Sequence, residues 1–269
     1  MFLICASILA AAFPQRAVCC EEKGVRLPVI MYHHIREEES AAGPYVITPE
    51  VLESDLRWLR EHGYTAVGTD ELRRHAHGSG TLPDKPIMIT FDDGQESVAV
   101  YALPLLEKYG CRAVVAVVGE FADRYTGTDD HHVAYSYMSW PQLARLAASP
   151  CIELAAHSYA MHGTQGRIGC SICPGEDVCS YRDKLNTDIS MLEARFEQYI
   201  GQSPCVFAYP YGVYCAEARE LLRERGYDVL LTCEERVNIL KRDPETLLSL
   251  GRFNRPYGLS SEEFFSHFD

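Results

Sequence analysis

At 269 residues with 47% hydrophobic content, the chain has apolar material for one α/β domain of barrel size. Its net charge of −13 excludes a basic nucleic-acid surface, because phosphate binding needs clustered Lys and Arg. The same acidity makes a strongly anionic polymer a poor ligand and tolerates a neutral one that becomes cationic.

The chain opens on an apolar run, Met1–Phe13, too short to cross a bilayer as a helix. It has the form of a secretory h-region, with small residues near Ala17-Val18-Cys19 but no charged n-region. An export segment is expected over residues 1–20 and a single catalytic domain over 25–269, secreted or in the cell envelope, with no transmembrane span. Val29–Tyr32 reads as a strand, followed by a helix from Thr48-Pro49-Glu50 to about His62, with Thr48 as N-cap. Pro86–Thr90 is a second strand, leading to a helix near Ser97–Tyr109 that stops at Gly110. The β-branched run Val114–Val118 is a third strand, followed by a helix opened by Ser139-Trp140-Pro141. Cys151–Ala155 is the next strand, and a long helix spans about Tyr181 to Ile200, ending at Gly201. Strand Cys205–Ala208, helix Ala216–Arg225 and strand Asp228–Leu231 complete the alternation. Strands alternating with helices predict parallel pairing with crossover helices.

Chemistry-bearing residues stand at the ends of these strands. Thr90-Phe91-Asp92-Asp93-Gly94 places two adjacent carboxylates after a buried strand. Burying either charge costs several kcal/mol unless a cation or proton offsets it. Neighbouring strand side chains face opposite ways, so the two acids are expected to meet different surroundings. One can then hold a metal while the other moves protons, the division that hydrolysis assisted by one metal ion requires. A plain Asp-Asp-Gly turn capping the next helix is the alternative. His157 and His162 lie five apart, which fits neither one strand face nor one helix face, so they converge from a loop, or from a strand end and its turn, if they act together; two solvated loop histidines are the alternative. One Asp and two His leave coordination positions open, as catalytic sites do. A third strand ends in Tyr32-His33-His34, and a fourth runs into Tyr209-Pro210-Tyr211-Gly212. Together they point to one site at the C-terminal face of an α/β sheet or barrel.

In order and spacing, these segments resemble the polysaccharide deacetylase family, the NodB-type carbohydrate esterases, over roughly residues 27–257. The resemblance implies a single distorted (β/α) barrel. It assigns Asp92 as general base and Asp93, His157 and His162 as ligands of a divalent metal ion, Zn2+ or else Co2+ or Ni2+. It gives Tyr211 an oxyanion-binding backbone N–H, with Tyr209 beside it in the substrate-binding motif. The segment Leu250–Pro256, where most members carry the catalytic acid, has no histidine. The Tyr-His pair is similar instead to the poly-N-acetylglucosamine deacetylase subgroup, which places the acid on His33 and leaves His34 as fallback and substrate contact. Ala208 stands where many members have an arginine that orients the base. The implied activity is removal of N-acetyl groups from an N-acetylglucosamine-containing polysaccharide, releasing acetate, by a chain expected to be a monomer. O-acetyl esterase activity on acetylated xylan and a non-catalytic glycan-binding module are the alternatives. Among the eleven cysteines, Cys170, Cys173 and Cys179 sit in a Gly-rich insertion after the histidine motif. With export they are expected to form disulfides bracing that loop, with a small metal knuckle or free thiols in a reducing setting as the alternatives.

Overall fold

The computed structural model describes residues 24–268 apart from Asp129 and Thr164. The expected export segment, residues 1–20, lies outside the described residues. No helix among those described is long and apolar enough to cross a membrane.

Seven parallel strands form the body of the sheet. In spatial order they are Val229–Leu231, Val206–Ala208, Ile152–Ala156, Ala113–Val117, Pro86–Phe91, Val29–Tyr32 and Phe253–Asn254, with the short Thr65–Ala66 beside Pro86–Phe91. The two edges meet on one segment. Leu250 bridges Leu231, with Thr232 N–H donating to the Leu250 carbonyl at 2.8 Å, while Phe253 pairs with Ile30. The result is the distorted (β/α) barrel expected, closed by residues 250–254 rather than by a full strand.

Period-two alternation sorts the strand residues into two cores. Val29, Met88, Val114, Ala116, Ala155, Val206, Ala208, Val229 and Leu231 fill the barrel interior. Ile30, Tyr32, Ile89, Phe91, Val115, Val117 and Phe207 face outward under the helices. A short antiparallel pair, Val25–Leu27 with Asn238–Leu240, adds Leu27 and Leu240 to the interior at the N-terminal end of the strands.

The expected helices form, with local reasons visible at their ends. Pro49–Glu61 is capped by the Thr48 hydroxyl, which accepts from Val51 N–H, and Gly110 ends Leu103–Tyr109 in the left-handed conformation. The helix before Gly110 departs from expectation at its start: Val98–Ala102 is a π-turn, a form common at functional sites. Trp140–Ala147 opens on a Ser139 capping box, and Val178–Ile200 ends at a left-handed Gly201. Helices Thr69–Ala76, Gly119–Thr126 and Ser261–Phe265 were not expected. They are short and depend on packing rather than on a long periodic pattern.

The disulfide expectation is corrected: Cys170, Cys173 and Cys179 are free thiols, like the other described cysteines. Charge braces the loop instead. Arg167 makes a forked ion pair with Glu176, at 2.5 and 2.6 Å, and Lys184 joins the same carboxylate at 2.8 Å. The Tyr181 hydroxyl donates to the buried Cys170 carbonyl at 2.6 Å.

A buried ion pair ties the C-terminal segment to the first helix. Arg255 binds Asp55 at 2.8 and 3.1 Å, and Tyr32 and Ser261 hydroxyls donate to the same carboxylate. Both charged groups are inaccessible to water. Asp55→Ala leaves the Arg255 guanidinium buried and unpaired, so urea unfolding is expected to show a loss of about 3–5 kcal/mol. The double variant D55A/R255M, which removes both charges, is expected to recover much of that loss.

Candidate active site

The C-terminal ends of the strands open into a cavity of about 580 Å³ that holds His33, Asp92, Asp93, His157, His162 and Tyr211. Alternation carries Met88, Thr90 and Asp92 inward, so Asp92 is buried at the mouth of the barrel interior. By the same rule Asp93 would face away, which was the expectation. It does not: Asp93 takes a left-handed conformation, φ 72°, and its carboxylate turns back into the same cavity. Ser158 and Tyr211 are the other non-glycine residues with positive φ among those described, at 65° and 58°. All three flank the cavity, so backbone strain is concentrated where chain reversals aim side chains at one point.

His157 follows the strand Ile152–Ala156 directly, and the turn at Ser158 brings His162 back beside it. That turn is fixed by Asp188 on the long helix, whose carboxylate accepts Tyr159 and Ala160 N–H at 2.7 Å each. The His162 Nε2 lies 3.1 Å and the His157 Nε2 3.6 Å from Asp93 Oδ1. One ligand atom from each of the three residues fits within 4.8 Å of the others. His157 Nδ1 is 2.7 Å from the Ala208 carbonyl, which can only accept, so Nδ1 carries the proton and Nε2 presents its lone pair. The Tyr211 hydroxyl donates to the His162 carbonyl at 2.9 Å and lies 3.3 Å from its Nδ1.

The electrostatics agree with a cation site. Burial pushes Asp93 up, but the His162 bond and the neighbouring histidines hold its carboxyl below the usual range. Burial lowers His157, outweighing the pull of Asp92 and Asp93, and so keeps its ring neutral. Burial lowers His162 as well, but its bond to Asp93 and the charges of Asp93 and Asp92 raise it overall, so a bound cation would take the place of a proton there. Two imidazole nitrogens and one carboxylate oxygen, with space in front, suit a divalent ion that keeps positions open for water and substrate.

Asp92 has a different partner. Arg252, fully buried, grips it through two parallel bonds of 2.7 and 2.8 Å. Its Nε donates to the Thr232 carbonyl at 2.9 Å, and Nη1 reaches Thr90 Oγ1 at 3.2 Å. Burial raises the Asp92 pKa, but the Arg252 charge, with His157, holds the carboxyl well below the ordinary range. The arginine missing at Ala208 is thus supplied from the segment that closes the barrel. Sequence reading missed it because Arg252 is far from Asp92 in the chain; its position beside Gly251 in a histidine-free segment was the available signal.

The two adjacent histidines separate by strand phase. His33 continues the inward positions Val29 and Met31 and lines the cavity, its ring edge-on to Tyr45 at 4.9 Å and its buried Nδ1 without a hydrogen-bond partner. His34 faces the other way and does not reach the cavity. Its nitrogens are taken up by Ser97 Oγ and the Ala134 carbonyl, both at 2.9 Å. Tyr209 is also corrected as a substrate contact. It continues the outward phase of Phe207, lies fully buried, and stacks on Tyr214 with ring centroids 4.3 Å apart.

A one-domain α/β barrel with a His-His-Asp cluster able to hold a cation and a paired second carboxylate at its strand ends has the parts of a metal-assisted hydrolase. Residues 79–230 match the polysaccharide deacetylase family model, and the chain belongs to that family. The matched stretch holds Asp92, Asp93, His157 and His162 but neither His33 nor Arg252. The chain is 29% identical over 224 residues to the poly-beta-1,6-N-acetyl-D-glucosamine N-deacetylase of Escherichia coli K12, covering 76% of this chain and 33% of that protein. It therefore spans about a third of the length of that relative. The putative polysaccharide deacetylase YxkH of Bacillus subtilis is 24% identical, with 90% of this chain and 76% of that protein covered. Among solved structures, IcaB from Ammonifex degensii superposes with a TM-score of 0.72 at 25% identity, covering 87% of this chain and 94% of that one. A de-N-acetylase from Aggregatibacter actinomycetemcomitans gives 0.73 at 22% identity, covering 90% and 98%.

Proposed function

We propose that the chain hydrolyses N-acetyl groups on an N-acetylglucosamine polysaccharide, releasing acetate and leaving a free amine on the sugar. The observation that carries this reading is the meeting, in one cavity, of the Asp93–His157–His162 cluster, the Arg252-gripped Asp92 and the inward His33. Asp93, His157 and His162 would hold a divalent ion, for which we favour Zn2+, with Co2+ or Ni2+ as substitutes. When bound, such an ion supplies Lewis-acid polarisation of the carbonyl and lowers the pKa of water towards about 7.

The remaining work falls to the chain's own groups. Asp92 takes the proton from the attacking water. Its low pKa favours a permanently available acceptor over a strongly basic one, and the Arg252 fork fixes the direction of its lone pairs. The Tyr211 backbone N–H, aimed by its left-handed turn, is assigned to the oxyanion, where preorganised donors contribute most to rate. His33 delivers a proton to the departing amine, without which an amide nitrogen leaves slowly. We place this activity outside the cytoplasm, on the strength of the Met1–Phe13 run and a polymeric substrate.

Acetate release from β-1,6-linked N-acetylglucosamine oligomers, before and after chelation, tests the reading. Release that is lost with chelator and restored by Zn2+ or Co2+ supports it. Release from acetylated xylan alone would replace it with the O-acetyl esterase, and no release from metal-loaded protein would leave a binding module. His33→Ala is expected to lower N-deacetylation about 10²–10⁴-fold with metal content intact. His34→Ala is expected to cost about 1 kcal/mol of stability through its lost bonds to Ser97 and Ala134. The opposite ranking in the acetate assay would move the acid to His34.

A further inference from the structure

Beyond the histidine–aspartate cluster, the cavity continues to an outer wall that includes Tyr45, Glu235 and Asn254. That wall is held in place. A Cβ on Gly251 would collide with the Glu234 carbonyl and Arg236 side chain, so only glycine lets residues 234–236 rest on the segment carrying Arg252. Arg236 pairs with Glu234 and donates to Ser249, leaving Glu235 between them with no cation partner among the described residues. Asn254 is anchored by its Nδ2, which donates to the Pro44 carbonyl at 2.8 Å, while its Oδ1 has no partner. The Asn254 Oδ1 is buried, so the solvent-facing acceptor of this wall is the exposed Glu235 carboxylate.

No cationic side chain of the cavity lining pairs with Glu235 among the described residues. Asp92 is paired with Arg252, Asp93 belongs to the histidine cluster that would hold the divalent ion, and no Lys or Arg is among the described lining residues. Glu235 is the carboxylate left over. A fully acetylated sugar is neutral and gives this carboxylate nothing to bind. A sugar that has already lost its acetyl group offers an ammonium with three donors.

We infer that Glu235 forms a subsite for the free amine of a glucosamine unit neighbouring the one being processed, so that the enzyme favours partly deacetylated chains. The inference rests on the deacetylase reading above. Glu235 is exposed, so the preference is limited to roughly fivefold, the range of solvent-exposed ion pairs, and weakens as salt rises.

The test compares kcat/KM for a fully acetylated β-1,6-linked pentasaccharide with pentasaccharides carrying one glucosamine at each internal position. For the wild type, at least one partly deacetylated isomer is expected to exceed the fully acetylated substrate by about two- to fivefold at low salt. Glu235→Gln is expected to abolish that ratio and Glu235→Lys to invert it; 0.5 M salt should flatten it in the wild type. Equal rates in the wild type, or a preference that survives Glu235→Gln, would overturn the subsite while leaving the deacetylase reading intact. No acetate from any pentasaccharide would overturn both.

Discussion

Arg252→Met is expected to reduce acetate release at least about 10²-fold, the lower range for disabling a general base. It is also expected to lower stability by about 3–5 kcal/mol. Methionine fills much of the same volume, so the loss is chiefly electrostatic. Asp92, 2% exposed, would be left with no cation to offset its charge and with the Arg252 donor to each of its oxygens gone. Urea denaturation of the variant measures the stability term and initial rates measure the catalytic one. The double variant D92N/R252M separates them: removing both charges should restore stability without restoring activity, because the proton acceptor is absent. Unchanged stability in Arg252→Met would show that the pair contributes no net energy and acts only to orient the base.

Asp93→Asn is expected to give protein that folds normally but holds little metal and has almost no activity. Asparagine tolerates the left-handed backbone at this position nearly as well as aspartate, so the φ of 72° is not an obstacle. What is lost is the anionic group of the proposed ligand set, between His157 and His162. Lewis-acid stabilisation contributes several kcal/mol to a transition state, so a loss on the order of 10³-fold or more follows at about 1.4 kcal/mol per decade. Metal content by atomic emission, read beside acetate release, checks the result. Full metal occupancy in an inactive Asp93→Asn protein would reassign Asp93 from ligand to proton carrier.

Much of the fold was legible before the tertiary structure because its signals are local. Thr48, Ser139, Gly110 and Gly201 mark helix ends through their own side chains or lack of one, and the corresponding helices form where expected. The inward phase of Val29, Met31 and His33 is also a local, period-two pattern. Applied strictly, it already separates His33 from His34 and turns Tyr209 away from the cavity. The short helices Thr69–Ala76 and Gly119–Thr126 were not legible, since eight residues carry too little pattern to stand apart from loops.

The sequence alone determined the alternating α/β order, the residue types of the candidate cation site and the acidic groups at the strand ends, because each is written within a few neighbouring residues. The tertiary structure decided which of those residues meet. Only the reversal at Asp93 brings both carboxylates into one cavity, and only closure of the barrel through residues 250–254 delivers Arg252 to Asp92 across 160 positions of chain. The reason is physical. A buried charge must be balanced through space, and the partner that balances it is set by which sheet edges meet, a contact that no local pattern encodes.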